Sequence, residues 1–208
     1  LQIEKKLPGI QGIGFTALIP KSQLNQHIQE IQSEGFPDYQ VKPAGEREFY
    51  TAIKYIEPFK DRNLRAFGYD MFTESVRRKA MERARDENTI AMTGKVTLVQ
   101  ETDKDIQAGA LMYFPLYRHG MTIDTVEQRR NAIYGWVYTP YRMTDLMRST
   151  LRGWDVKQSD RHIYLQIYDG STLSGENLLY NSQSTEDKTL TAAKNVSRII
   201  PIDFAGRR

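Results

Sequence analysis

Residues that could do chemistry are few in this 208-residue sequence and lie far apart. The three histidines, His27, His119 and His162, fall in a predicted helix, a loop and a strand, without the close spacing of metal ligands. Cysteine is absent, which excludes disulfides, thiolate metal sites and cysteine nucleophiles. No GxGxxG, GxxxxGK[ST], GxSxG or HExxH motif occurs. We therefore predict no catalytic residue, no bound metal and no cofactor.

Asp70 differs from the other carboxylates because it lies between the apolar residues Tyr69 and Met71, just before a predicted helix. A buried carboxylate there must be hydrogen-bonded or paired with a cation. Two roles stay open. Asp70 caps the following turn or pairs with Arg77, or it contacts a ligand. The remaining carboxylates are mixed with arginine and lysine, which indicates surface ion pairs.

The distribution of charge argues against a nucleic-acid partner. Lysine and arginine number 29 against 26 acidic residues, and the net charge is +3. The densest basic run, residues 77–85, is interleaved with acidic residues, as on a solvated helix face. No stretch approaches the ~18 consecutive apolar residues of a membrane span. The chain begins with Leu1 rather than Met, which we interpret as the mark of a fragment.

Apolar patterning predicts the elements that must position these residues. Strands are predicted at residues 10–19, 39–42, 48–56, 64–69, 91–101, 109–117 and 133–141. Helices are predicted after Ser22 as N-cap, from Thr73 or Ser75 to about residue 87, at residues 125–132 and at residues 143–151. Asn88 is expected to end the second helix, and Thr125 with Gln128 forms a capping box for the third.

The pattern changes near Gly153. Residues 161–168 alternate as a half-buried strand, a turn follows at 169–171, and further strands are predicted at 177–181 and 197–204. We predict an α+β protein with two small α+β units in series, residues 10–152 and residues 153–208, the second cut short.

Short pieces in a fixed order carry a family resemblance. They are residues 55–58 (YIEP), Asn63, residues 66–70 (AFGYD), 74–80 (ESVRRKA), 84–86 (ARD), 98–100 (LVQ), 113–117 (YFPLY), 129–130 (RR), 134–138 (YGWVY) and 141–142 (YR). The series resembles the CHASE domain, the extracellular sensor of many bacterial receptor kinases and cyclases and of plant cytokinin-receptor kinases. It covers about residues 8–150. Ser75 and Val76 depart from the usual acidic-then-proline step, and residues 88–90 replace a common Thr-Gly turn.

The resemblance implies two tandem PAS-like units, each a central antiparallel sheet with flanking helices. Residues 1–9 would end a stalk helix, through which the receptor forms a homodimer. Residues 10–152 would be the membrane-distal unit, which binds an unidentified small molecule, and residues 153–208 the membrane-proximal one. The parent would be membrane-anchored, with this part on the periplasmic side. Its cytoplasmic output would be a histidine kinase or a diguanylate cyclase or phosphodiesterase, and the fragment itself no enzyme.

Strand alternation and the resemblance together select candidate ligand contacts. The polar candidates are Lys54, Glu57 and Thr89, of which Lys54 would face an anionic ligand. The other candidates are Tyr50, Phe67, Tyr69, Met81, Met92, Thr93, Leu111, Tyr113, Gly135, Val137 and Thr139. Asn63, Gly68, Asp70 and Arg77 are predicted to be structural.

Two other hypotheses stay open. In the first, the domain is a structural or protein-interaction module whose interior is filled by side chains such as Met81 and Tyr113. In the second, it is an enzyme of unrecognised type. The second would need clustered polar residues that the sequence does not display.

Overall fold

A five-stranded antiparallel sheet forms the centre of the computed structural model, which describes residues 8–102, 104–151, 164–182 and 197–207. The strands lie in the order β2-β1-β5-β4-β3, and every neighbouring pair is antiparallel. The predicted α+β class is confirmed. The strands are β1 (Ile13–Pro20), β2 (Phe49–Glu57), β3 (Ala91–Met92), β4 (Gly109–Tyr117) and β5 (Ile133–Arg142).

The described residues contain four α-helices, and the sequence predicted each of them. The second helix begins at Ser75, one of the two predicted starts, with Glu74 as its N-cap, and Asn88 ends it in the left-handed conformation as predicted. The predicted capping box of Thr125 and Gln128 is confirmed. The helices are α1 (Leu24–Ser33), α2 (Ser75–Glu87), α3 (Val126–Ala132) and α4 (Met143–Thr150).

The sheet has two sides because side chains alternate along each strand. The α2 side holds the larger core, in which residues of α2 pack on Leu111, Tyr113, Trp136 and Tyr138. The opposite side, called the α1 side, holds a smaller core. That core consists of Ala17, Ile19, Tyr50 and Ala52, with Phe15, Leu24 and Val41 packed against it.

A bulge interrupts the pairing of β1 with β2. Phe15 pairs with Tyr55 and Thr16 with Ile53, so Lys54 is an extra residue on β2. Because the bulge shifts the alternation by one position, Ile53 and Ile56 both reach the α2-side core. Strict alternation along this strand predicts one shared face for Tyr50, Ala52, Lys54 and Ile56, and the bulge makes that prediction wrong.

A second, two-stranded sheet follows α4. It pairs β6 (Gln166–Tyr168) with β7 (Leu178–Asn181), and β7 packs against α4. This hairpin lies in the predicted second unit. The strand predicted at residues 197–204 is wrong, because the described residues 197–207 contain one bridge, between Phe204 and Arg207. The apolar side chains that suggested it, Ile199, Ile200 and Ile202, are exposed.

The strand predicted at residues 64–69 is also wrong. A 3-10 helix, Asp61–Ala66, occupies its first half, and Leu64 is exposed while Ala66 is buried. The side-chain amide of Asn63 holds this turn by donating to the backbone oxygens of Gln11 and Pro58. Only Gly68 and Tyr69 add to the sheet. The Gly68 N–H donates to the Ile53 oxygen, and the Tyr69 oxygen accepts the Ile53 N–H.

Two further predicted strands are shorter than expected. Residues 91–101 pair only at β3 and at one bridge between Val96 and Gly109, and residues 39–42 only at one bridge between Lys42 and Tyr69. Their apolar residues are buried without forming a ladder, which alternation alone does not distinguish from a strand.

The beginning of the described chain also corrects three expectations. Residues 8 and 9 form a turn rather than the end of a helix, and residues 1–7 of the predicted stalk lie outside the described residues. Ser22 does not cap α1, because a 3-10 helix, Lys21–Gln23, precedes it without a side-chain cap. β1 begins at Ile13, later than predicted.

Candidate functional site

The interface between α2 and the sheet is deeply buried. The Trp136 indole N–H donates to the backbone oxygen of Met81 across 3.0 Å, which anchors the helix on β5. Met81, Ala84, Tyr113 and Trp136 are all fully buried. An apolar interior with a few placed polar groups is the usual form of a small-molecule site.

Asp70 supplies a carboxylate beside β2, where it pairs with Ala52 at the edge of the sheet. It is fully buried, and its Oδ1 accepts hydrogen bonds from the backbone N–H (2.9 Å) and the hydroxyl (2.7 Å) of Thr51. Oδ1 also caps the 3-10 helix Met71–Thr73 by accepting from the Phe72 N–H. Its Oδ2 has no hydrogen-bond partner among the described residues, and Arg47 Nη1 lies 3.5 Å away.

The predicted pairing of Asp70 with Arg77 is wrong. Arg77 is buried and forms an ion pair with Glu74 at 3.1 Å, while its second nitrogen donates to the Thr97 oxygen at 2.9 Å. Its guanidinium also lies over the Tyr69 ring. Arg77 is thus an exception to the solvated helix face expected for residues 77–85, and it ties α2 to the loop after β3.

Two tyrosine hydroxyls lie inside the same interior. Tyr113 Oη is 3.0 Å from the Met71 sulfur, and Tyr138 Oη has no hydrogen-bond partner among the described residues. Burial raises the pKa of both hydroxyls above the ordinary value. Both therefore stay protonated at neutral pH and can donate a hydrogen bond.

The predicted ligand contacts lie on both sides of the sheet rather than around one site. The α2 side receives Met81, Leu111 and Tyr113, together with Thr93, whose hydroxyl accepts from the Leu111 N–H. Tyr69 packs at the edge of the same core. Because Phe114 pairs with Val137 while Tyr113 pairs with Tyr138, the residues at 135, 137 and 139 face the α1 side. Gly135 there lies under the Phe15 ring.

The remaining candidates also lie outside the α2 side. Tyr50 belongs to the α1-side core, and Met92 pairs with Met112 on that side. Phe67 stacks on Tyr39, Lys54 lies over the Tyr55 ring, and Thr89 is exposed beyond α2. Glu57, at the exposed end of β2, pairs with Ile13. One pocket cannot be lined by all these residues, and the binding role of each stays a prediction.

Sequence reasoning missed Tyr138, Thr51 and Arg47. Tyr138 follows Val137, so choosing the opposite face of β5 excluded it, and only the register against Tyr113 corrects that choice. Thr51 was excluded in the same way, since the face of Tyr50 was chosen on β2. The side chain of Arg47 gives no sequence signal at all, since a loop brings it to Asp70.

Comparison with known proteins shows the family of this chain. The profile of the CHASE domain family matches residues 1–180, which is most of the chain. The chain belongs to the CHASE domain family. CHASE domains are extracellular sensors, so this one is the sensor domain of a signalling receptor and not a catalytic domain.

A curated relative gives this CHASE domain a wider context. The chain is 22% identical over 204 residues to hybrid signal transduction histidine kinase A of Dictyostelium discoideum. The alignment covers 90% of this chain and 9% of that protein. The similarity therefore concerns a small part of a much longer signalling protein.

The described part of this CHASE domain holds no cluster of three or more histidine or acidic residues that could bind a metal ion. None of its described helices has the length and hydropathy of a membrane span. A cavity of about 480 Å³ lies away from α2, between residues 8–11, the region of the 3-10 helix Asp61–Ala66 and α4. Lys60, Arg62, Arg142 and Arg148 are among its lining residues.

Proposed function

We propose that this CHASE domain binds a small molecule between α2 and the sheet and thereby changes the state of its receptor. The observation that carries the proposal is the fully buried Oδ2 of Asp70, which has no hydrogen-bond partner among the described residues. The Tyr138 hydroxyl, which lies on the α2 side, has none either. Buried polar atoms are normally hydrogen-bonded, so both atoms are suited to a ligand's polar groups.

These two atoms suggest the chemistry of the ligand. An ionised carboxylate only accepts hydrogen bonds, whereas the Tyr138 hydroxyl can donate one. We therefore expect a largely apolar molecule that carries a hydrogen-bond donor and an acceptor. A positive charge is not required, because Arg47 already lies 3.5 Å from Asp70. Lys54 is not expected to contact it, since the bulge places this residue beside Tyr55.

We infer the wider organisation from the family and from the two sheets. Residues 10–152 would form a membrane-distal PAS-like unit and residues 153–208 a membrane-proximal one, on the periplasmic side of an inner membrane. The five-stranded sheet with its helices and the separate β6–β7 hairpin support this division. The histidine kinase relative supports a cytoplasmic kinase output, with a cyclase as the alternative. A homodimer would form through the stalk helix.

Sensing requires a ligand that prefers one of two receptor conformations. The ligand must therefore change how α2 sits on the sheet. Since α2 contacts β3, β4 and α3, a shift of the helix would alter its packing against all three elements.

A thermal-shift screen of small, largely apolar compounds that carry a hydrogen-bond donor and an acceptor tests the proposal. A compound present at about 100 times its Kd should stabilise the chain by about 2.7 kcal/mol. The stabilisation should fall in Tyr138→Phe and in Asp70→Asn, each of which alters one proposed contact. Tyr134→Phe, at an exposed tyrosine on the same strand, and Asp38→Asn, at an exposed carboxylate, are the matched controls. Hits that stabilise all four variants equally would place the site elsewhere.

One observation favours a module that binds no small molecule. Met81 and Tyr113 are fully buried and fill the centre of the α2 side. If this interior is permanently filled, small apolar compounds should stabilise Met81→Ala, where the truncation leaves a cavity, and leave the wild-type chain unaffected. Stabilisation of the wild-type chain that Tyr138→Phe abolishes would exclude this alternative.

A further inference from the structure

Gly94 marks a close approach between the β6–β7 hairpin and the first sheet. It is buried just after β3, and a Cβ at this position would lie 2.6 Å from Asp169 Oδ2. The same Cβ would lie 3.4 Å from a methyl group of Val76 in α2. Only glycine leaves room for the Asp169 carboxylate beside the backbone here.

Asp169 uses this room to join three segments of the chain. Its Oδ2 accepts the backbone N–H of Lys95 at 2.9 Å, and its Oδ1 accepts the guanidinium Nε of Arg207 at 2.9 Å. Its own N–H closes the hairpin by donating to the Asn177 oxygen at 2.8 Å. The side chain is 12% exposed, so these charge-assisted bonds are shielded from solvent.

The segment that ends at Arg207 also contacts α2 and β3 directly. The Met92 N–H donates to the Ala205 oxygen at 2.9 Å, and the Arg83 guanidinium donates to the Gly206 oxygen. Both α2 and β3 are thus hydrogen-bonded to the segment that ends at Arg207.

We propose that Asp169 is a positioning residue that couples the α2–β3 region to the C-terminal segments of the domain. Residues 93–95 link the two regions. The Thr93 hydroxyl accepts the Leu111 N–H in the interior, and two residues later the Lys95 N–H donates to Asp169. A displacement of α2 or β3 must therefore stretch the bonds of Asp169. The role of this coupling in sensing rests on the proposed function, whereas the coupling itself does not.

Hydrogen exchange of backbone amides in the 208-residue chain tests the coupling without a ligand. Asp169→Ala should accelerate exchange at Lys95 by about tenfold or more, since a buried charge-assisted hydrogen bond is lost. Exchange at Met92 should also rise, while Asp203→Ala, at an exposed aspartate of the same segment, should change neither. Lys95 and Met92 amides that exchange equally in both variants would overturn the proposal.

A substitution inside the core tests whether a change beneath α2 reaches Asp169. Met81→Leu keeps the volume beneath α2 and should alter exchange at the Asp169 amide, with unchanged exchange in β2. An effect confined to residues around Met81 would show that Asp169 only fastens the hairpin and would overturn the coupling. Because no ligand is involved, a failed ligand screen leaves these results intact, and a failure here leaves the ligand screen intact.

Discussion

Burial of His27 is expected to make the stability of this domain sensitive to acid. His27 in α1 is 8% exposed, and its Nε2 lies 2.9 Å from the Tyr39 hydroxyl. Burial and the charge of Lys54 lower the pKa of His27 below 6.5, although Glu30 acts in the opposite direction. The neutral imidazole is therefore favoured in the folded state.

The expected result is a loss of stability as the pH falls. Between 6.5 and the lower folded-state pKa, the unfolded chain binds more protons than the folded chain, so the free energy of unfolding decreases with decreasing pH. His27→Gln keeps a hydrogen-bonding side chain but cannot titrate, and should flatten this slope in urea unfolding measured from pH 7 to pH 5. His119→Gln, at an exposed loop position, is the control. Equal slopes for both variants and the wild type would contradict the assignment.

At the residue scale, the sequence identified Asp70 but not its partners. Its position between apolar residues predicted burial and a capping role, which the bond from the Phe72 N–H bears out. Arg77 was the expected cation because it lies near in sequence. Arg47 takes that place because the backbone bond between Asp70 and Lys42 brings the preceding loop alongside.

At the element scale, α2 depends on its N-cap. Glu74 accepts hydrogen bonds from the N–H groups of Val76 (2.8 Å) and Arg77 (3.0 Å) and pairs with the Arg77 guanidinium. Burial alone would raise the pKa of Glu74, but these bonds together lower it below 4.5. The carboxylate therefore holds the first turn of the helix that covers the candidate site.

Glu74→Ala should destabilise the chain by about 1–2 kcal/mol, since an N-cap and an ion pair are lost together. In the wild type, the contribution of Glu74 is complete above pH 4.5 and is lost as the pH falls through its lowered pKa. The variant should lack that acid-dependent loss. Urea unfolding at pH 7 and pH 4 measures both effects, with Ser75→Ala as the neighbouring control. A variant as stable as Ser75→Ala at pH 7 would refute the capping role.

Helices were predicted better than strands for a physical reason. The caps of α2 and α3 and their apolar spacing are local, so Asn88, Thr125 and Gln128 could be recognised from their neighbours in sequence. Strand pairing is not local. The run at residues 64–69 resembles a strand, but hydrogen bonds from Asn63 to Gln11 and Pro58 hold its first half in a 3-10 helix.

At the scale of the whole molecule, Arg142 holds distant segments together. This residue at the end of β5 contacts Glu101 at 2.9 Å and Asp105 at 2.8 Å, and it also pairs with Asp145 in α4. The Glu101 side chain is only 4% exposed, and its other nearby cation, Arg62, is 3.8 Å away. Removing Arg142 would leave a buried carboxylate with one distant partner.

Arg142→Gln should cost about 3 kcal/mol or more, because an unpaired buried charge is expensive. Thermal or urea unfolding measures the loss, and adding Glu101→Gln should recover part of it. Arg130→Gln breaks an exposed pair with Asp86 and should cost far less. Similar losses in the two arginine variants, or no recovery in the double variant, would argue against a buried network.

The sequence by itself determined the family, the α+β class and the helices, because motif order, composition and capping are readable along the chain. Only the tertiary structure decided which side of the sheet each strand residue faces, since one bulge at Lys54 reverses the alternation of β2. It also decided that Asp70 meets Arg47 and that Asp169 meets Lys95. These contacts join residues far apart in the chain, and they follow from strand register and loop packing, which no local pattern encodes.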